Sequence, residues 1–304
     1  MEIKNELSFA AKVKSEICRM EVEKGCCALA EALGTLLYAN TFAADCIRIV
    51  TECRDFALRL PRLFRKALGV EFDVMPEGEV QGKQTYLITD REKISRVFEL
   101  CGFSAKSSVS LHVNLALLEK ECCRRAFLRG AFLAGGSVTD PEKRYHLELS
   151  TTHLKVNRET EALLLEMDLS AKVTDRKGSS VLYFKQSDAI EEFLTAIGAP
   201  VNAMAVMEAK IYKDYRNAAN RKTNCDSANV DKVVAAAGEQ LVAIQKLEET
   251  GQLENLPEKL RQTAILRREN PEATLAELTE LHEPPLSKSA VNHRLRKLVA
   301  MAKE

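Results

Sequence analysis

The chain has 304 residues, 46% of them hydrophobic and 29% charged, enough apolar material for one large core or two smaller ones, and at least two folded units are expected. Its 44 lysines and arginines balance 44 aspartates and glutamates, which excludes a global positive field, so any affinity for nucleic acid has to arise from local clustering. Nine cysteines include the adjacent pairs Cys26-Cys27 and Cys122-Cys123 and no C-x-x-C spacing; this argues against a zinc site and suits reduced thiols used as small apolar core residues in a cytosol.

The N-terminal stretch alternates charged and apolar residues and lacks an apolar run of signal-peptide length. The longest uncharged run, Ala32 to Ala44, is too short to cross a bilayer and reads as a buried helix. A cytoplasmic protein with no membrane partner is therefore expected.

In chain order, the pattern predicts a strand over 46–53, a helix over 55–68, a strand pair at 70–75 and 83–89 around the turn Pro76-Glu77-Gly78, and a helix over 91–101. The same order recurs as a strand at 145–151, a helix at 154–168, strands near 171–175 and 180–185 around Lys177-Gly178, and a helix at 188–197. Gly102 and Gly198 stand where left-handed caps would end the two closing helices.

A small-residue helix precedes each unit, over 26–42 and 122–138, and each opens on a Cys-Cys pair 96 positions from the other. Gly34 and Gly130, like Gly102 and Gly198, keep that offset. A repeat of this size implies two similar halves related by a pseudo-twofold axis. Ala30 with Gly34 and Gly130 with Ala134 would let the two helices approach closely at the seam between the halves.

The segment Leu128 to Ser137 (LRGAFLAGGS) resembles the LAGLIDADG helix of homing endonucleases, and the repeat resembles their duplicated core. The resemblance implies two seam helices and two four-stranded sheets forming a saddle over DNA. In that family an acidic residue at the end of each seam helix holds the metal ion that activates water. Alignment puts Ala39 and Gly135 at those positions, so both metal positions are degenerate. Asp45 and Asp140 follow closely, but Asp140-Pro141 is ordinary turn chemistry. The five histidines show no metal spacing, and no P-loop, dinucleotide or G-x-S-x-G signature occurs. Neither catalytic residues nor a cofactor is expected.

Residues 210–224 carry Lys210, Lys213, Arg216, Arg221 and Lys222 interleaved with Tyr212, Tyr215 and asparagines. Such a stretch either holds phosphates, with Arg216, Asn220, Arg221 and Lys222 as candidates, or is a solvated connector. Residues 229–249 then form an amphipathic helix with Val233, Ala237, Leu241, Ile244 and Leu247 on one side.

The last fifty residues carry three helical signals. Leu256, Leu260 and Ala264 recur at helical spacing until Asn270-Pro271 ends a helix over about 257–269. Thr274 and Glu277 match a capping box ahead of a short helix packed through Leu275, Leu278 and Leu281. After the turn from His282 to Leu286, Ser287 is placed to cap a third helix running to about Met301. Its Val291, Leu295, Leu298 and Val299 share one sector, and Ser289, Asn292, His293, Arg296 and Lys297 lie opposite. From Pro284 to Glu304 five cations, Lys288, Arg294, Arg296, Lys297 and Lys303, face one acid. A helix of this width fits the major groove, with Asn292 and Arg296 suited to base edges, Ser289 and His293 to nearby bases or phosphates, and Lys288, Arg294 and Lys297 to phosphates.

The run Ser287 to Leu298 (SKSAVNHRLRKL), the run Asn220 to Asn229 (NRKTNCDSAN) and the duplicated core together resemble the WhiA family of bacterial regulators across the whole chain. The resemblance implies an α+β fold: a duplicated LAGLIDADG-like domain of two pseudo-symmetric halves at 1–205 (about 1–105 and 106–205), a basic linker and amphipathic helix at 206–250, and an all-α helix-turn-helix domain at 251–304. It further implies a transcription regulator tied to sporulation, cell division or chromosome segregation, acting on double-stranded DNA at the nucleoid. RNA polymerase or a co-regulator protein is implied as a further partner. Two alternatives stay open, an active metal-dependent homing-type endonuclease and a ligand-sensing or interaction module anchored on DNA.

Overall fold

A computed structural model describes residues 7–22, 24–76, 78, 82–103 and 110–303 and divides into two compact units, Met1–Lys213 and Asp214–Glu304.

The first unit opens with α1 (Phe9–Cys18) and the seam helix α2 (Gly25–Leu37), followed by β1 (Thr41–Phe42), β2 (Ile47–Thr51), α3 (Arg54–Leu68), β3 (Gln84–Ile88) and α4 (Arg91–Cys101). The second half repeats this order with α5 (Glu121–Gly135), β4 (Gly136–Val138), β5 (Leu147–Thr151), α6 (Leu154–Leu165), β6 (Lys172–Arg176), β7 (Ser179–Phe184) and α7 (Ser187–Ile197). Gly102 (φ 82°) and Gly198 (φ 97°) are the left-handed caps the sequence calls for at the ends of α4 and α7.

Both sheets are antiparallel, in order β1-β2-β3 and β4-β5-β7-β6. The strand expected at 70–75 is the exception. It is reduced to a single bridge between Val74 and Leu87, and part of its turn, Glu77, lies outside the described residues. The reason is local. The amides of Asp73 and Val74 both donate to the Leu87 carbonyl, as in a bulge, and the Asp73 carboxylate then takes the amides of Thr89 and Asp90. The counterpart in the second half, β6, pairs with β7 over five residues.

The seam forms as the glycines predict. A Cβ on Gly34 would stand 2.1 Å from the Phe127 carbonyl oxygen, and one on Gly130 would stand 2.0 Å from that of Glu31. Only hydrogen fits at either crossing point. Around this contact, Leu33, Leu36 and Leu37 of α2 and Phe127, Leu128, Ala131 and Phe132 of α5 are buried in one continuous core.

Inside that core lies an ion cluster that periodicity does not reveal. Glu31 of α2 is fully buried, and its carboxylate meets Arg59 of α3 through Nε at 2.6 Å and Nη2 at 3.0 Å, and Arg129 of α5 at 3.3 Å. Arg59 also donates to the carbonyls of Cys18 and Met20, and Arg129 to that of Ile197. One carboxylate thus ties the two halves together.

The long helix α8 (Pro200–Glu249) starts where the Glu16 carboxylate accepts from the amides of Val201 (2.7 Å) and Asn202 (3.0 Å). It carries straight through the stretch read from sequence as a basic linker. Pro200 is its only proline and Gly238 its only glycine, so the Ala, Lys, Arg and Glu around the asparagines keep the backbone helical. The stripe expected over 229–249 is shorter than foreseen. Val233 is 50% exposed, and burial begins only at Gln240, Ala243, Ile244 and Leu247.

In the second unit that last part of α8 packs with α9 (Glu258–Glu269), α10 (Leu275–Glu280) and α11 (Lys288–Met301). The expected capping box is present: Thr274 Oγ1 accepts from the Glu277 amide at 3.3 Å, and the Glu277 carboxylate accepts from the Thr274 amide at 2.7 Å. Leu278 is buried as expected, whereas Leu281 is 44% exposed, because α10 ends one residue before it. Among the described residues, no helix in either unit is long and apolar enough to cross a membrane.

Candidate nucleic-acid interface

The second unit is built so that one face of α11 is fixed and the other left clear. Val291, Leu295 and Leu298 are buried against Leu260 and Ala264 of α9 and Leu278 of α10. Ser287 Oγ accepts from the Ala290 amide at 3.2 Å, so this hydroxyl serves as the helix cap. Two buried polar side chains brace the turns. The Arg267 guanidinium donates to the Ala273 carbonyl at 2.7 Å, holding the link between α9 and α10, and burial lowers its pKa. The His282 ring bridges the Leu278 carbonyl through Nδ1 at 2.7 Å and Thr263 Oγ1 through Nε2 at 3.0 Å. A carbonyl can only accept, so Nδ1 carries the proton.

Of the eight residues expected to meet DNA in this unit, Lys288, Ser289, His293, Arg296 and Lys297 are exposed and Asn292 is half-buried, and the helical spacing puts these six on one side of α11. Ser287 is the cap. Arg294 differs in kind. Its Nη1 donates to the Lys259 carbonyl at 3.2 Å and to Thr263 Oγ1 at 3.3 Å, which clamps α11 to α9. Among the described residues no acid pairs with Lys288, Arg296 or Lys297. The outer face therefore presents three cations, a hydroxyl, an amide and an imidazole to a ligand.

The linker candidates form no comparable patch. Arg216, Asn220, Arg221 and Lys222 are all exposed on α8; Arg216 and Asn220 share a side, while Arg221 and Lys222 point elsewhere around the helix.

Two family descriptions match the chain, the WhiA LAGLIDADG-like domain over residues 124–216 and the WhiA C-terminal HTH domain over residues 219–302. The probable cell division protein WhiA of Ruminiclostridium cellulolyticum is 38% identical over 304 residues, covering 97% of each chain. The chain belongs to the WhiA family. The similarly named protein of Bacillus velezensis is 36% identical, covering 98% of this chain and 97% of the relative. The crystal structure of a full-length DUF199/WhiA protein from Thermatoga maritima, at 23% identity, superposes with a TM-score of 0.60 over 98% of both chains, so the fold is shared.

Of the two residues that the sequence aligns with the acids of the endonuclease helices, Gly135 has no room for a side chain. Gly135 ends α5, and a Cβ there would lie 2.5 Å from the Ser150 carbonyl oxygen and 3.0 Å from the Tyr38 ring. The half-buried Lys14 ammonium donates to the Leu133 carbonyl at 3.1 Å, two residues from Gly135, and desolvation lowers its pKa. Ala39, the other position, offers only a methyl group. Asp140 is engaged in its turn, accepting from the Glu142 amide at 2.9 Å, and Asp45 is exposed.

Two clusters escaped the sequence reading. A cavity of about 620 Å³ on the second sheet is lined by Arg144, Arg176 and Lys185 against Glu148 and His146; Arg176 and Lys185 come to the 144–148 segment only through the pairing of β5, β7 and β6, so no single sequence window contains the set. The other corrects the reading of the cysteines. Cys26 and Cys225 are exposed, not core, and the Sγ atoms of Cys26, Cys27, Cys122 and Cys123 all lie within 4.8 Å of one another. The 96-residue offset between the two pairs was the available signal, because symmetric halves bring equivalent positions together at the seam.

Proposed function

We propose that this chain is a sequence-specific, double-stranded-DNA-binding transcription regulator of the cytoplasm and nucleoid, working in cell division and in the related processes of sporulation or chromosome segregation. Its LAGLIDADG-like unit serves as a non-catalytic scaffold. The observation that carries the reading is the division of labour on α11: its apolar side is buried and its cations Lys288, Arg296 and Lys297 have no acidic partner among the described residues. Asn292 and Arg296 bond base edges in the major groove, Ser289 and His293 contact neighbouring bases or phosphates, and Lys288 and Lys297 hold phosphates. Arg294 acts by holding the helix in place. The names of the relatives in Ruminiclostridium cellulolyticum and Bacillus velezensis support the cell-division context, and RNA polymerase or a co-regulator would be the partner that converts binding into regulation.

Genome-wide mapping of bound sites for the wild type and Arg296→Ala identifies the target, and mobility shifts on that target and a scrambled duplex then test the roles. Arg296→Ala should lose about 1–3 kcal/mol on the target and discriminate less at one position, whereas Lys297→Ala should weaken both duplexes alike and lower the salt slope by about one. Equal losses on both duplexes for the two variants would sink the assignment. A plasmid-nicking assay with magnesium or manganese should give no cleavage; cleavage abolished by Asp45→Ala or Asp140→Ala would overturn the scaffold reading.

A further inference from the structure

The four clustered thiols sit at equivalent places in the two halves. Cys26 and Cys27 lie in the first turn of α2, and Cys122 and Cys123 in the first turn of α5. The two helices are fixed against each other by the Gly34 and Gly130 contacts, so the four sulfurs are held by a rigid crossing and not by loops. Packing alone does not account for them, since Cys26 is exposed and Cys27 and Cys122 are only partly covered.

We propose that Cys26, Cys27, Cys122 and Cys123 form a four-thiolate site for a single zinc ion that clasps the two halves at the N-terminal end of the seam. The ligand set is uniformly soft sulfur, which selects thiophilic ions over magnesium or calcium. The spacing selects one ion. Tetrahedral zinc with Zn–S near 2.3 Å needs sulfurs about 3.8 Å apart, which a cluster within 4.8 Å reaches by side-chain rotation. An iron–sulfur cluster spreads its thiolates over different irons and would need them farther apart. Binding releases the thiol protons to solvent and leaves a centre of net charge −2. The surroundings suit that charge. Both helices direct their positive ends at the site, and the residue ahead of each first turn is a lysine, Lys24 and Lys120, neither of which caps its helix through its side chain. Folding of the seam and metal binding are thereby coupled.

Full-length protein, purified under reducing conditions without chelator, should carry about one zinc per chain by elemental analysis. Cobalt in its place should give the visible bands of a tetrahedral thiolate site. Zinc added back after chelation should shield four thiols from a thiol reagent, counted on the wild type. Cys26→Ser/Cys122→Ser should lose the metal, and Cys225→Ser should keep it. A folded, reduced wild-type chain that takes up neither zinc nor cobalt overturns the proposal. So does equal uptake by the double variant, or a chain isolated with disulfides among these four cysteines that stays metal-free after reduction.

Discussion

Replacing Glu31 by Gln removes the one negative charge between two buried guanidinium groups while keeping the size of the side chain. The side chains of Arg59 and Arg129 are 9% and 10% exposed and that of Glu31 is 0% exposed, so water cannot substitute for the lost carboxylate. Breaking a buried pair in this way costs about 3–5 kcal/mol. Here the lower end applies, because Arg59 retains the carbonyls of Cys18 and Met20 and Arg129 retains that of Ile197. About 3 kcal/mol is a large share of the roughly 5–15 kcal/mol that holds a domain folded. For a unit of this size it corresponds to a fall in Tm of about 6–12 °C. Calorimetry of the full chain, with hydrogen exchange followed in peptides from α2 and α5, measures it. The control is Glu71→Gln, whose partner Arg65 is 68% exposed and which is itself 67% exposed; it should cost less than about 1 kcal/mol. Replacing the whole cluster at once with Glu31→Leu, Arg59→Met and Arg129→Met should recover most of the loss. If Glu31→Gln is no more damaging than Glu71→Gln, the cluster does not hold the seam and the reasoning fails.

Gly130→Ala should destabilise the first unit by about 1–3 kcal/mol in the same calorimetry, since the added methyl meets backbone, whereas Gly25→Ala, with open space around it, should stay within about 0.5 kcal/mol. Arg294→Ala should lower the stability of the second unit by about 1.5 kcal/mol through its two lost hydrogen bonds, and Arg296→Ala should leave thermal stability unchanged; hydrogen exchange in α9 and α11 separates the two. The Thr274 amide and hydroxyl hold the Glu277 carboxyl below the usual carboxylate range. Its capping contribution is therefore complete above a pH of roughly 4.3 and lost as pH falls through the depressed folded value, so the difference in α10 exchange between wild type and Glu277→Gln should shrink on acidification. Gly135→Asp should unfold the end of α5 without creating metal-dependent nicking activity, because the site admits no side chain.

What the sequence made legible is what short range controls. Gly34 and Gly130 announced the seam, Gly102 and Gly198 the ends of α4 and α7, and Thr274, Glu277 and Ser287 the starts of α10 and α11, because each acts within one turn of chain or one helix crossing. The linker misled because asparagines favour turns only when nothing else extends the helix, and α8 starts upstream under the Glu16 cap. The strand at 70–75 failed because Asp73 diverts two amides that a ladder would use. Glu31, Arg59 and Arg129 stand on three separate elements, and no periodic pattern marks a charge that is buried by partners brought together only in the fold. Arg294 looked like its neighbours Arg296 and Lys297 in composition; one step around the helix turns it toward α9.

That last turn bears on how such proteins diverge. The residues that anchor α11, namely Ser287, Val291, Arg294, Leu295 and Leu298, and those left facing outward, Ser289, Asn292, His293 and Arg296, are disjoint sets. Changes in the outward set leave the buried anchors in place, so under the proposed DNA-reading role target preference would be rewritten on a constant platform. Under that role, a chain built this way would acquire a new target one substitution at a time while α11 stays folded on α9 and α10.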